Sequence, residues 1–369
     1  MSIISQTETL MVVGQDDGHD TLKTCFGWDS ENQKYMYGYN KARAIEGLQQ
    51  VMSVGTDSTT GSAYETEDRR FTIAGSQNLL RTLDTRMDGY PISDLNRTLV
   101  NHALSECGLG DKTIYLITGL PVDQYYKNGA PNQTFINQKI DSLAKPVKRI
   151  GKGLSLARIL GQSVISEGIA AFYDVLFQPD GKLDAAIEQL ISRRPIGVMD
   201  LGGKTLDMAV IAENVSSVYN DRSGTTNVGV LHLLDKVAVR IKSEYELNAN
   251  PPLPFVEEAC RTKKYELFGE IVDVTHIIET ACKEYLEMVR NYFVSKCGDG
   301  SDLGAVLFVG GGTELILSIL GVDAFASIYK GKRIIAPEAA YANSRGMWKY
   351  GMFVLTASER AVSVPTKAA

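Results

Sequence analysis

Two stretches of the 369-residue sequence end an apolar run on a carboxylate and then turn on glycine. VVGQDDGHDTLK sets Asp16 and Asp17 beside Gly18, with Lys23 close behind; VMDLGGKTLD sets Asp200 ahead of Gly202, Gly203, Lys204 and Thr205. Glycine lets backbone N–H groups come close to phosphate oxygens, and an aspartate at a strand end can hold a hydrated Mg²⁺ that offsets phosphate charge. Asp-Gly is also a common tight-turn dipeptide, so either turn alone says little. As a pair, at corresponding places in two halves that open alike, they point to phosphate, with Asp16 and Asp200 as metal carboxylates acting through water. A third element, FVGGGTEL, puts Gly310, Gly311 and Gly312 between a strand and a helix start, with Glu314 following. Three successive glycines are entropically costly unless backbone must approach something closely, such as a base, ribose or phosphate. This element does not satisfy G-x-G-x-x-G, and G-x-x-x-x-G-K-[ST] occurs nowhere, which disfavours a Rossmann site and a Walker P-loop.

Positioning these turns takes a mixed α/β fold, in keeping with the alternation of short strand-like runs and longer helical ones. LMVVGQ (10–15) and LKTCFGW (22–28) read as strands flanking the first turn, followed by YMYGYN (35–40) and RRFTIAG (69–75) with polar surface loop between them. Leu95, Leu99, Val100, Ala103, Leu104 and Cys107 recur at helical spacing after a cap at Asp94, with Gly108 as the stop. TIYLITGLPV (113–122) is a buried strand running into a proline loop. The second half repeats the arrangement with IGVMDL (196–201), LDMAVI (206–211) and SSVYND (216–221), which suggests duplication. Between the halves lie a helix around SEGIAAFYDVLF (166–177) and the polar QPDGKLD (178–184). Ile277, Ile278, Ala281, Cys282, Tyr285, Leu286, Val289 and Phe293 trace one face of a long helix, and GAVLFVGGGTELIL (304–317) is a strand, glycines and a helix start. Residues 357–369 show little apolar periodicity and are expected to fray.

A net charge of −6 with 44% hydrophobic residues describes an ordinary globular chain without the basic footprint that direct binding of nucleic acid or anionic lipid requires. The five cysteines stand singly, with no C-x-x-C pair, and suggest neither a disulfide framework nor a zinc site. MSIISQTETL lacks a basic region followed by an apolar one, and no apolar run nears the ~18 residues of a membrane span. The expectation is a cytoplasmic protein with no membrane contact. His102, His232 and His276 have no partners at metal spacing and read as structural, and the YMYGY tyrosines read as strand packing rather than a base-stacking platform. No Ser-His-Asp or Cys-His pairing emerges from spacing.

The order of strand-Asp-Gly hairpin, SEGIAA, DLGGKTLD, FVGGGTEL and ANSRGMWKYG resembles the actin, sugar-kinase and heat-shock-chaperone ATPase superfamily. Within it the chain most resembles ParM-type (StbA-type) bacterial actins that segregate plasmids, from about Val12 to Met352, the loop GLPVDQYYKNGAPN being a further specific part. The resemblance implies an actin-like α/β fold: two RNase H-like domains flanking a nucleotide cleft that holds ATP (or GTP) and Mg²⁺, each with a smaller inserted subdomain. The implied division is 1–177 with an insertion over roughly 30–110, 178–340 with an insertion over roughly 246–300, and a C-terminal helix and tail over 341–369 returning to the first domain. Asp16, Gly18 and Lys23 resemble the first phosphate hairpin, and Asp200, Gly202, Gly203 and Thr205 the second. Gly310, Gly311, Gly312 and Glu314 match the adenosine motif, residues 343–346 the second connecting segment, and Glu167 the carboxylate that orients the attacking water. The chain departs from the family at His19 and Asp20, where relatives commonly carry small hydroxyl residues, and at Lys204, where they often carry Thr. Asp20 and Lys204 either compensate in charge across the phosphates or are two solvated turn residues.

Fold alone does not choose among the functions this superfamily hosts. The first expectation is a filament-forming ATPase, in which ATP closes the cleft and favours assembly and hydrolysis loosens it. Its partners would be further copies of itself and a ParR-like DNA-binding adaptor on a plasmid or phage centromere. The alternative is a small-molecule (sugar-type) kinase, which needs an aspartate base aimed at a substrate hydroxyl; nothing here marks a sugar site. A chaperone ATPase would need a substrate-binding module for which too few residues remain.

Overall fold

Both predicted turns close antiparallel hairpins, and the two sheets that carry them are wired alike. The computed structural model describes residues 10–48, 62–74, 82–87, 89–150, 154–356 and 359–360. These divide into two units, the first drawn from Met1–Leu120, Gln133–Ile165 and Ser344–Ala369, the second from Pro121–Asn132 and Ser166–Asn343. Residues 166–177 and the Pro121–Asn132 excursion group with the second unit, because both pack on its sheet.

In the first unit, β1 (Met11–Asp17), β2 (Thr21–Asp29) and β3 (Lys34–Lys41) form a meander, followed by the short β4 (Ala44–Glu46), β5 (Ala63–Glu65) and β6 (Arg70–Ile73). Helix α1 (Asp94–Glu106) leads to β7 (Thr113–Leu120), which pairs parallel with β1. The excursion holds α2 (Val122–Tyr125), β8 (Tyr126–Lys127) and β9 (Ala130–Pro131), after which α3 (Gln133–Ala144), β10 (Lys148–Ile150) and β11 (Arg158–Ser166) follow. The main sheet runs β11-β7-β1-β2-β3, and a small sheet runs β10-β5-β6-β4, drawing β10 from beyond the expected insertion. The cap of α1 is Ser93 rather than Asp94: its side chain accepts from Asn96 N–H, while Asp94 is the first helical residue and pairs with Arg69. Gly108 ends the helix at φ +73°, a left-handed conformation that favours glycine. Leu95, Leu99, Val100, Ala103 and Leu104 then bury against Val13, Leu22, Ile114 and Leu116.

In the second unit, α4 (Glu167–Leu176) and α5 (Ala185–Ile191) precede β12 (Ile196–Leu201), β13 (Leu206–Ile211) and β14 (Gly224–Thr226). Next come α6 (Val230–Glu244), α7 (Leu253–Thr262), the hairpin β15 (Lys264–Leu267) and β16 (Glu270–Asp273), and α8 (Thr275–Cys297). β17 (Ala305–Val309), α9 (Gly311–Leu320) and β18 (Arg333–Ile335) complete it, and the division between units falls inside α10 (Ala342–Lys349). The sheet runs β14-β13-β12-β17-β18, with β12 antiparallel to β13 and parallel to β17, as β1 is to β2 and β7. This repeated wiring is the duplication anticipated from sequence. SSVYND does not supply the third strand. A turn with Asn214 and Val215 at positive φ intervenes, only Val218 bridges to Ile211, and β14 lies further on.

Strand alternation explains why β12, β13 and β17 read as unbroken apolar runs. Met199, Leu201, Met208, Val306 and Phe308 face α6, α8 and α9, while Ile196, Val198, Ala209, Leu307 and Val309 face the residues of α4 and α5. The eight residues predicted for one face of the long helix are all buried on α8. No helix among the described residues is long and apolar enough to cross a membrane.

Candidate functional site

In the second unit, β12 delivers Asp200, and the turn after it is held from behind by a helix start. Gly202 N–H donates to Thr205 O at 3.0 Å, and the carbonyls of Gly202, Gly203 and Lys204 accept from the backbone N–H groups of Val230, Leu231 and Gly229 at 2.9, 3.0 and 2.9 Å. The turn's oxygens are thereby spent on the amides that open α6, which removes acceptors that would repel an anion. A Cβ on Gly229 would stand 2.2 Å from Gly203 O, so only glycine permits this seating. Asp200 is 4% exposed, and its Oδ2 accepts from Asn343 Nδ2 at 2.6 Å.

The triple glycine resolves into different roles. Gly310 sits at φ +89° and a Cβ there would lie 2.3 Å from Asp200 Oδ1 and 2.5 Å from Leu201 O; a Cβ on Gly312 would lie 2.7 Å from Leu201 O. Both are required by protein packing against the end of β12. Gly311, the first residue of α9, has no atom within 4 Å of a built Cβ, so the fold does not account for it. Open space beside a bare helix N-terminus is where an anionic or planar ligand could touch backbone. Glu314, assigned by resemblance to the adenosine motif, accepts from Ala340 N–H at 2.9 Å and so steadies the 339–341 segment.

Asp200 and Asp207 are direct cross-strand neighbours on the sheet face that carries Val198 and Ala209. Helix α4 packs on that face: a Cβ on Gly168 would lie 2.6 Å from Ala209 Cβ and 3.6 Å from Val122 Cγ2. Glu167, one residue earlier, is the first residue of α4. Asp207 Oδ1 accepts from Val122 N–H at 3.0 Å and from Thr225 Oγ1. Burial pushes its carboxyl from the ordinary 3.8 up to about 6, against the pull of hydrogen bonds from Thr225, Val122 and Thr205.

In the first unit, Asp16 is opposite Lys23 in the hairpin register, and Lys23 Nζ donates to Asp16 Oδ2 at 3.1 Å. Asp17 receives Lys139 Nζ on its two oxygens at 2.9 and 2.8 Å and Asn96 Nδ2 at 2.7 Å; Lys139 also donates to Gly119 O at 2.6 Å. The Lys139 and Asp17 side chains are 1% and 2% exposed, and these extra hydrogen bonds are what a desolvated ion pair needs to persist. A Cβ on Gly18 would stand 3.1 Å from Thr21 O. Asp20 meets Lys41 Nζ at 2.8 Å, so it has a counter-charge inside its own unit and does not require Lys204 to supply one. His19 Nδ1 lies 2.5 Å from Thr85 O, tying the turn to the following segment.

Glu167, Asp200, Gly202, Gly203, Lys204, Thr205, Gly310, Gly311, Gly312 and Glu314 belong to the second unit, and Asp16, Gly18 and Lys23 to the first. Sequence reasoning missed Lys139, Asn96, Asp207 and the Asn343–Asp200 bond. Lys139 carried a signal: it lies between Ile136 and Leu143 on the buried stripe of α3, where a cation needs a reason. Among the described residues no group of three or more His, Cys, Asp or Glu side chains could hold a metal. Asp16 and Asp200 each stand near the end of a strand of their own unit as one carboxylate, a kind of donor that suits a hydrated Mg²⁺ arriving with phosphates. His102 bonds Tyr64 Oη at 2.9 Å and burial lowers its pKa to about 4, His276 pairs with Glu244, and Tyr37 Oη accepts from Arg345 at 2.8 Å.

The family model for the N-terminal part of the plasmid segregation protein ParM (StbA) matches residues 11–178, and that for the C-terminal part of the archaeal actin homologue MreB-like matches residues 198–321. Among solved structures, the chain is similar to a non-polymerisable quadruple mutant of pCBH ParM (16% identity, TM-score 0.70) and to a 15-stranded ParM filament from Clostridium botulinum (15%, 0.71). It is also similar to the archaeal actin homologue Ta0583 in complex with ADP (17%, 0.70). Each likeness covers 93% of this chain and 99% of the other. No curated protein matches it in sequence. The duplicated sheets and the whole-length likeness establish an actin-like fold, whose first part matches the ParM-type N-terminal model and whose later part matches the archaeal MreB-like C-terminal model.

Proposed function

We propose that this protein is an ATPase that assembles into filaments when nucleotide binds and moves a DNA replicon through a ParR-like adaptor. The enzymatic part is supported by Glu167 opening α4, a helix that packs through Gly168 on the sheet face bearing Asp200, and by the glycine turns of the same unit. That is an arrangement for a water, a metal-bound phosphate and backbone amides together. The turns at Gly18 and at Gly202–Thr205 take the phosphates, and Gly311 receives the adenosine side of the nucleotide. Asp16 and Asp200 would hold Mg²⁺ through water, and the ion would offset phosphate charge. Glu167 accepts a hydrogen bond from the attacking water and orients it in line with the γ-phosphate. Filament formation is supported by relatives whose names describe polymers, and DNA segregation by the ParM-type first domain. The acidic net charge favours an adaptor over direct DNA capture. In the test, Glu167→Ala retains ATP-dependent assembly but releases phosphate at least ~10²-fold more slowly, as expected for loss of a general base. Release at the parent rate overturns the assignment.

A further inference from the structure

The hairpin β15–β16 turns on two residues, Phe268 at φ +51° and Gly269 at φ +87°. Both central residues at positive φ make a turn in which Asn-Gly is the strongly preferred dipeptide and a bulky side chain at the first position is strained. Phe268 is also 92% exposed, and Ile271, on the outward face of the same hairpin, is 71% exposed. The inward face is satisfied, since Tyr265 and Val272 pack on the core of the second unit. Phe268 thus carries a conformational cost and a hydration cost, and the chain that bears it gains nothing in return.

The same chain holds a fitting receptacle. Helices α6 and α8 leave a groove of about 380 Å³ lined by Val239, Lys236, Arg240, His232, Asp235 and Glu284. Val239 lines it and is 54% exposed, and the stems of Lys236 and Arg240 supply further apolar wall, with their cations held toward Glu284. An aromatic ring entering there would stack against a guanidinium and an ammonium. Glu266 and Glu270 flank the knob, so on insertion they would share Lys236 and Arg240 with Glu284. Knob and groove lie on different elements of one chain, so joining them between copies gives a heterologous contact, and such contacts propagate rather than close when the rotation does not return on itself.

We infer that Phe268 is an assembly knob that inserts into the α6–α8 groove of a second copy of this chain. This rests on the filament reading above and names one of its contacts. The test compares the wild-type chain with Phe268→Asn and Val239→Glu by light scattering and pelleting with ATP and Mg²⁺, alongside melting and nucleotide binding. Phe268→Asn relieves the turn, so this variant should melt no lower than wild type and bind nucleotide equally well. Its critical concentration for assembly should nevertheless rise roughly tenfold or more, the loss expected when an aromatic anchor is removed. Val239→Glu should behave alike, and a mixture of the two should yield dimers, since one supplies an intact knob and the other an intact groove. If wild type assembles and Phe268→Asn assembles at the same critical concentration, the knob is refuted while the filament reading stands. If wild type does not assemble, the filament reading fails and the knob falls with it.

Discussion

Exchanging Gly310 and Gly311 separately for alanine separates what the fold demands from what a ligand demands. At Gly310 an alanine must adopt φ +89°, at about 1–2 kcal/mol for an L-residue in left-handed space. Its methyl group would start 2.3 Å from Asp200 Oδ1 and 2.5 Å from Leu201 O. Relief requires a shift of roughly 1 Å in a packed turn, which adds about 1–3 kcal/mol. The expected destabilisation is therefore about 2–5 kcal/mol, with Asp200 displaced and nucleotide binding lost as a consequence. At Gly311 the same methyl group meets nothing within 4 Å, and the residue begins a helix. Alanine there should leave stability unchanged or raise it by about 0.5–1 kcal/mol, through lower entropy of the unfolded chain. If nucleotide rests on this backbone, affinity should nonetheless fall at least ~10-fold, or ~1.4 kcal/mol. Urea unfolding and titration with a fluorescent ATP analogue measure the two effects independently. Full affinity in Gly311→Ala would refute the reading of the third glycine as ligand-facing, and an undiminished stability in Gly310→Ala would refute the packing account.

Asp207→Asn should remove a pH dependence. With the folded carboxyl at about 6 and the ordinary value at 3.8, the folded chain takes up this proton first. The contribution to stability is thus fully present below pH ~4 and lost as pH rises through 6, on the order of 2–3 kcal/mol. Subtracting the variant's pH–stability curve from the parent's isolates it from His102, whose lowered pKa acts in the opposite sense; a flat difference between pH 4 and 7 would contradict the burial argument. Lys139→Met leaves Asp17 buried with Asn96 as its remaining named donor, and should cost about 3–5 kcal/mol, measured by denaturant unfolding. Asp17→Asn combined with Lys139→Met should recover much of that loss, whereas additive losses would show that the two groups do not act as a pair.

What the sequence disclosed was what local chemistry controls. The Asp-Gly hairpins, the buried runs of β12, β13 and β17, the amphipathic face of α8 and the glycine-to-helix junction at Gly310 each follow from neighbours a few residues apart, and each is present in the structure. Contacts between distant segments were beyond it. Lys139 reaches Asp17, Asn343 reaches Asp200 and Val122 reaches Asp207 only once the sheets have formed. The same holds for residues 166–177: SEGIAAFYDVLF was legible as a helix, yet which sheet it covers is decided by Gly168 meeting Ala209 and not by its own pattern. Three adjacent glycines look equivalent in sequence, and only the folded chain distinguishes two that packing requires from one that it does not.

The central claim is that nucleotide drives assembly and its hydrolysis reverses it. Light scattering and phosphate release followed together after ATP and Mg²⁺ are added to the purified chain test this most directly. The scattering should rise before phosphate is released and decay as ATP is consumed, and in Glu167→Ala the rise should persist. A scattering trace indifferent to nucleotide, or phosphate transferred to an added sugar in place of water, would contradict it.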